Sequence, residues 1–218
     1  MRIALVASLL VTFAVMFVAQ VANRPADIDS ESLNRLPVVK RDTLDENGKR
    51  IYDYIAGPSG NAPKTGPGGV TLHSPVVAEG FQMVNQALRK SPIGQQYFEI
   101  CALIGAWEFD QQYEWSGHEP GAVRAGVSQN VIDAIKFNRG VEGLGEKEAT
   151  LILMGRQLFR GNHQLNSDLW AKAVKLFGKQ GALDATMTMG DYAMAAVLLN
   201  AVNQQLPPAR KALLPIRK

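Results

Sequence analysis

Between Lys90 and Glu108 a single charged side chain, Glu99, interrupts an uncharged and mostly apolar run, Tyr97-Phe98-Glu99-Ile100-Cys101-Ala102-Leu103-Ile104-Gly105-Ala106-Trp107. So apolar a segment has to be covered by other elements, and it takes an acid inside with it. An ionisable group amid that much apolar surface must stay neutral, find a partner, or do both. On a helix its neighbours three and four positions away are Gln95, Gln96, Ala102 and Leu103, none of them charged. An ionic partner for Glu99 must therefore come from another helix, and the two glutamines can do no more than donate a hydrogen bond.

The remainder of the chain also reads as helix. Asp42 or Thr43 can cap a helix through Ile51, Tyr52 and Ile55 that stops at Gly57. Residues 57–75 carry five glycines and four prolines, which predicts a long loop, either a flexible surface segment or a lid over a site. From Pro75 onwards Val76, Val77, Gly80, Phe81, Val84, Ala87 and Leu88 keep a helical spacing. Further helices are expected over about 93–109, 111–125, a Ser128-capped segment through Phe137, and 146–160. Asn166 or Ser167 caps one over 168–177, and the last covers about 182–205, before Pro207-Pro208. No alternating strand pattern is present, so the expected class is all-α. The final helix is rich in small residues and methionine, which suits close packing in the core, and part of its apolar face suits an oligomer contact.

Length and composition place the chain among ordinary globular proteins: 218 residues, 46% hydrophobic and 20% charged. A net charge of +3 comes without a basic stripe interleaved with aromatics, so nucleic-acid binding is set aside. The lone cysteine excludes an internal disulfide and a multi-cysteine zinc site. Arg2 precedes an apolar run from Ile3 to about Val18, followed by Ala19-Gln20-Val21-Ala22 and then polar residues. That order describes a secretory signal peptide over residues 1–22, with cleavage after Ala22. The alternative is an uncleaved membrane anchor, since the run approaches the length needed to span a bilayer. Either way the domain is expected outside the cytoplasm. Residues 23–40 are polar and aperiodic and read as a linker, 41–206 as the domain, and 207–218 as a C-terminal tail.

Glu114 and His118 stand four apart and share a face of one helix, where a carboxylate can orient an imidazole and raise its affinity for a proton. Gln111 lies on the same side, and Tyr113 and Trp115 could wall an aromatic pocket. Pro120 inside this helix predicts a kink after His118. His73 stands at the lip of the Gly/Pro loop, within reach of a second-layer or substrate contact. His163 reads as an exposed turn, and Cys101 as an inert buried thiol. A metal site is not expected, because paired histidines at ligand spacing are absent.

The blocks Phe98-Glu99-Ile100, Ala106-Trp107, Gln112-Tyr113-Glu114-Trp115-Ser116-Gly117-His118-Glu119-Pro120 and Arg124-Ala125-Gly126-Val127-Ser128 are similar to the carboxymuconolactone decarboxylase family. The alkylhydroperoxidase D-like proteins belong to that family. Leu72-His73-Ser74-Pro75 and Gly145-Glu146-Lys147-Glu148 also fit its layout, and the likeness spans about 34–206. The resemblance implies an alkylhydroperoxidase D-like bundle of six to eight helices, assembled as a trimer or hexamer with sites near subunit interfaces. In the peroxidase branch a glutamate, a Cys-x-x-Cys pair and a histidine form a proton relay. Here Glu99 and His118 match the glutamate and the histidine, while Gln111 and Glu114 stand where the two cysteines would be. Without thiols there is no thiolate to attack a peroxide, so the resemblance points to the decarboxylase branch.

The expected protein is an exported, cofactor-free enzyme performing decarboxylation or proton transfer on a small organic acid or lactone. Glu99 and His118 would act, with Glu114 orienting the histidine; Gln111, Tyr113, Trp115 and His73 would contact substrate, and Arg124 would bind its carboxylate. Alternatives are a non-catalytic helical oligomer that binds small molecules, and a thiol-independent antioxidant protein.

Overall fold

The computed structural model describes residues 25–217, which form eight α-helices and no strand. The protein is all-α. The expected signal peptide or anchor over 1–22 lies outside the described residues. No helix among the described residues is long and apolar enough to cross a membrane.

Helix α1 (Glu46–Ala56) starts at Asp45, whose carboxylate accepts from the Gly48 amide; Asp42 and Thr43 instead lie in a preceding 3-10 turn. The Gly/Pro-rich stretch departs from the expected loop. It contains a short helix, α2 (Gly66–Val70), followed directly by a 3-10 turn (Thr71–His73) and then α3 (Pro75–Arg89). Pro67 and Pro75 occupy the first turns of their helices, where the missing N–H costs nothing and φ is already helical. These prolines start helices, which is why a reading of proline as a breaker fails here. Gly66, at φ +74, also leaves room for the Tyr113 ring, which a Cβ would approach to 2.6 Å.

Helix α4 (Gln95–Glu108) is the axis of the fold, buried without interruption from Phe98 to Trp107. It is covered by α5 (Gln112–Arg124), α6 (Gln129–Lys136), α7 (Glu146–Phe159) and α8 (Ser167–Ala201), with its most extensive contact against α8. Gly105 permits that contact: a Cβ there would lie 2.7 Å from the Met189 carbonyl and 2.8 Å from Tyr192 Cβ. Helix α5 runs on through Pro120 to Arg124. Gly178, at φ 72, interrupts the helical conformation of α8, close to the expected break between 177 and 182.

Two flanking segments are docked onto the helices. Gln204, just beyond α8, accepts from Asn34 Nδ2 and the Gly66 amide at 3.0 Å, and donates to the carbonyls of Ser32 and Leu33. Ser32, Leu33 and Asn34 are buried by this, although residues 23–40 read as a linker. Their order comes from backbone and amide hydrogen bonds, which leave no hydrophobic periodicity to detect. The C-terminal segment is likewise packed, with Leu214 in the main core.

Candidate functional site

Helix α4 presents Glu99 to α5, and α5 answers with His118. Glu99 Oε2 lies 2.7 Å from His118 Nδ1, and Glu99 Oε1 accepts from Gln95 Nε2 at 2.6 Å. The partner comes from another helix, as the neutral neighbours of Glu99 require. Both oxygens of Glu99 are thus engaged, and the contact at Nδ1 fixes the orientation of the His118 ring. Its Nε2 is left facing Glu114 Oε2 at 3.7 Å. The approach depends on Gly121, where a Cβ would meet three atoms of the Glu99 carboxylate at 3.0–3.2 Å. The His118 ring also stands edge-on to Tyr192, with centroids 4.5 Å apart.

These groups border a cavity of about 380 Å³ between α3, α5, α8 and the start of α2. Of the three, the His118 side chain is the most accessible, at 14% exposed against 6% for Glu99 and 5% for Glu114. Burial pushes the Glu114 carboxyl above its ordinary range, against the opposing charges of His118 and Arg210, and its Oε1 has no hydrogen-bond partner. Asp191, on α8, repeats the pattern. Burial raises it, Asn85 donates to Oδ2 at 2.8 Å, and Oδ1 is unpartnered. Two acids whose carboxyl groups are raised by burial therefore line the same cavity as a histidine whose Nδ1 is already engaged.

Cationic groups balance this acidity. Arg89, Arg124 and Arg210 all line the cavity. Arg89 donates to Asn85 Oδ1 and to the Tyr192 hydroxyl, each at 2.8 Å, and lies over the Phe98 ring. Arg210 lies over the Tyr113 ring at 4.5 Å and donates to the Tyr113 carbonyl. Their partners are neutral, so both guanidinium groups keep their charge available for an anion.

Glu99, Glu114, His118, Tyr113 and Arg124 are thus brought to one cavity, and three expected residues are not. Gln111 is buried at the N-terminus of α5, where its Oε1 accepts from the Tyr113 amide and its Nε2 donates to Asn200. Trp115 faces the core and donates Nε1 to Glu119. His73 points away, with Nε2 2.9 Å from the Pro37 carbonyl. Gln111 was expected on the Glu114 side from its spacing of three, but it caps the helix in an extended conformation and its side chain turns back to the Tyr113 amide; Trp115 is one residue beyond Glu114, which turns its side chain by about 100° away. Glu114 was expected to orient the histidine, but the short contact to the ring is made by Glu99 at Nδ1, and Glu114 faces Nε2 at 3.7 Å. Cys101 is wholly buried and its thiol is pushed up by that burial, which leaves it unreactive.

The sequence reading passed over Asn85, Arg89, Asp191, Tyr192 and Arg210. Asp191 carried a usable signal, being the only charged residue between Asp184 and Arg210, as Glu99 is in its own run. The arginines carried none, because a basic residue at a helix end or in a tail is ordinary. Among the described residues no group of three or more His, Cys, Asp and Glu side chains is arranged to hold a metal ion. No family model and no curated protein matches the chain. The arrangement itself can move a proton at His118 Nε2, offer acidic hydrogens from Glu114 and Asp191, and attract an anion.

Proposed function

We propose that this protein is a cofactor-free enzyme of the carboxymuconolactone decarboxylase type, performing decarboxylation or proton transfer on a small organic acid or lactone. The observation that carries the reading is the contact between Glu99 Oε2 and His118 Nδ1 at 2.7 Å, beside a cavity bordered by arginines. In the decarboxylation, the arginines hold the anionic substrate beside His118. The bond to the departing carboxylate breaks, its electron pair enters an adjacent conjugated carbonyl as an enolate, and carbon dioxide leaves. A proton from His118 Nε2 then closes the carbon, and the histidine recovers one from water. Glu99 fixes the ring through Nδ1, and Glu114, whose carboxyl is raised by burial, stands 3.7 Å from Nε2 where its acid form can offer a hydrogen to the enolate oxygen.

An apolar seam on α8 supports assembly with further copies of the chain. Leu183, Met187, Met194 and Val197 are exposed, and with Gly190 they repeat at alternating spacings of four and three. That spacing is the one that packs a helix against another helix. With the N-terminal run taken as a secretion signal, the enzyme acts outside the cytoplasm.

The test is a panel of small organic acids and lactones, carboxymuconolactone included, followed by NMR for carbon dioxide release and solvent deuterium uptake. Glu99→Gln and His118→Ala should each lower turnover by roughly 100-fold or more, with unchanged circular dichroism. Turnover indifferent to both substitutions removes the site. Binding without turnover in the wild type replaces the enzyme by a small-molecule carrier.

A further inference from the structure

The C-terminal segment after α8 is fastened to α5 at several points. Gln112 Oε1 accepts from the Leu213 and Leu214 amides at 3.0 and 2.8 Å, and Gln112 Nε2 donates to the Leu214 carbonyl at 2.7 Å. Ser116 Oγ accepts from the Leu213 amide as well. Leu214 is buried in the main core, and Arg217 donates to the Trp107 carbonyl, pairs with Asp110 and lies over the Trp107 ring. A segment with its amides, an apolar side chain and a terminal cation all engaged is held in one register.

That register places Arg210 at the cavity. Its guanidinium lies over the Tyr113 ring and 3.5 Å from where a Cβ on Gly117 would stand, in the turn of α5 between Glu114 and His118. Its positive charge is felt at Glu114 and opposes the effect of burial there. Its partners are a carbonyl oxygen and a ring face, neither of which neutralises it. A guanidinium held by a ring face and a carbonyl, with charge to spare, is suited to a carboxylate.

We propose that the C-terminal segment is a strap that delivers Arg210 as the carboxylate-binding residue of the cavity, and that Gln112 is the positioning residue that holds the strap. The proposal rests on the reading of the cavity as a site for an organic acid, but not on any turnover there. A substrate carboxylate would lie against Arg210, above the turn of α5 that carries His118, with the rest of the molecule directed toward Nε2.

Succinate serves as the probe, titrated calorimetrically into the full chain at low salt. Arg210→Gln should weaken its binding roughly ten-fold or more, the loss of a charge-assisted hydrogen bond, and Arg210→Lys by less. Gln112→Ala, which leaves Arg210 in the sequence but unfastens the strap, should weaken it comparably, and Leu214→Ala should do so by a second route. Arg41→Gln, at a cation paired with Asp53 and outside the cavity, should bind succinate as the wild type does, and turnover of the organic-acid panel is measured separately, so its absence bears on the catalytic reading and not on Arg210. Succinate binding that survives Arg210→Gln, or that is absent from the wild type, overturns the assignment of Arg210. Affinity lost in Arg210→Gln but kept in both Gln112→Ala and Leu214→Ala overturns the strap.

Discussion

Replacing Glu114 with glutamine keeps the outline of the side chain and removes its proton equilibrium, which isolates what this acid does to stability as pH changes. Burial raises the carboxyl above its ordinary 4.5, while His118, Arg210 and Arg89 pull the other way. Below the ordinary value the folded and unfolded chains both hold the proton, and the group adds no pH dependence. As pH rises through it, the unfolded chain releases its proton and the folded chain does not. Stability therefore falls with pH and stops falling once the folded value is passed. One proton limits the slope to about 1.4 kcal/mol per pH unit. Glu114 is 5% exposed with one oxygen unpartnered, so nearly all of that slope should show: as pH rises above the ordinary value the wild type should lose stability relative to Glu114→Gln, at no more than about 1.4 kcal/mol per pH unit. Asp191 titrates in both proteins and largely cancels. Urea unfolding at a series of pH values measures the difference, and a difference that stays flat, or that grows in favour of the wild type, refutes the argument.

Other expectations follow from packing. Gly105→Ala would drive a methyl group into the Met189 carbonyl and should destabilise the fold by about 1–3 kcal/mol by urea denaturation; an unchanged midpoint would mean α4 and α8 are not so close. Gln204→Ala removes the amide shared by Asn34, Gly66, Ser32 and Leu33. It should cost about 2–4 kcal/mol and expose the amides of residues 32–36 to hydrogen exchange. Cys101 should resist a thiol reagent in the native protein and react fully in denaturant; rapid native labelling would contradict its burial.

Several helix ends were readable because their signals are local. Ser128 and Asn166 precede α6 and α8, and Gly178 breaks α8 near where the apolar spacing changes. The Gly/Pro stretch was misread because proline is favourable in a first helical turn and unfavourable further in, and composition does not say which turn it occupies. The segment around Ser32–Asn34 was misread because hydrogen bonds to a distant amide hold it, and no sequence period records them.

The sequence by itself determined that the protein is helical and that Glu99 is carried into its interior, because helical spacing and an uncharged run are properties of neighbouring residues. It also brought Glu114 and His118 to one helix face by their spacing. Which ring nitrogen meets which acid was decided only when α4 and α5 packed at Gly121. The charge of the cavity was decided by tertiary packing as well, since Arg89, Asp191 and Arg210 come from α3, α8 and the segment after α8. Long-range packing sets those distances, and the carboxyl chemistry of the site depends on them.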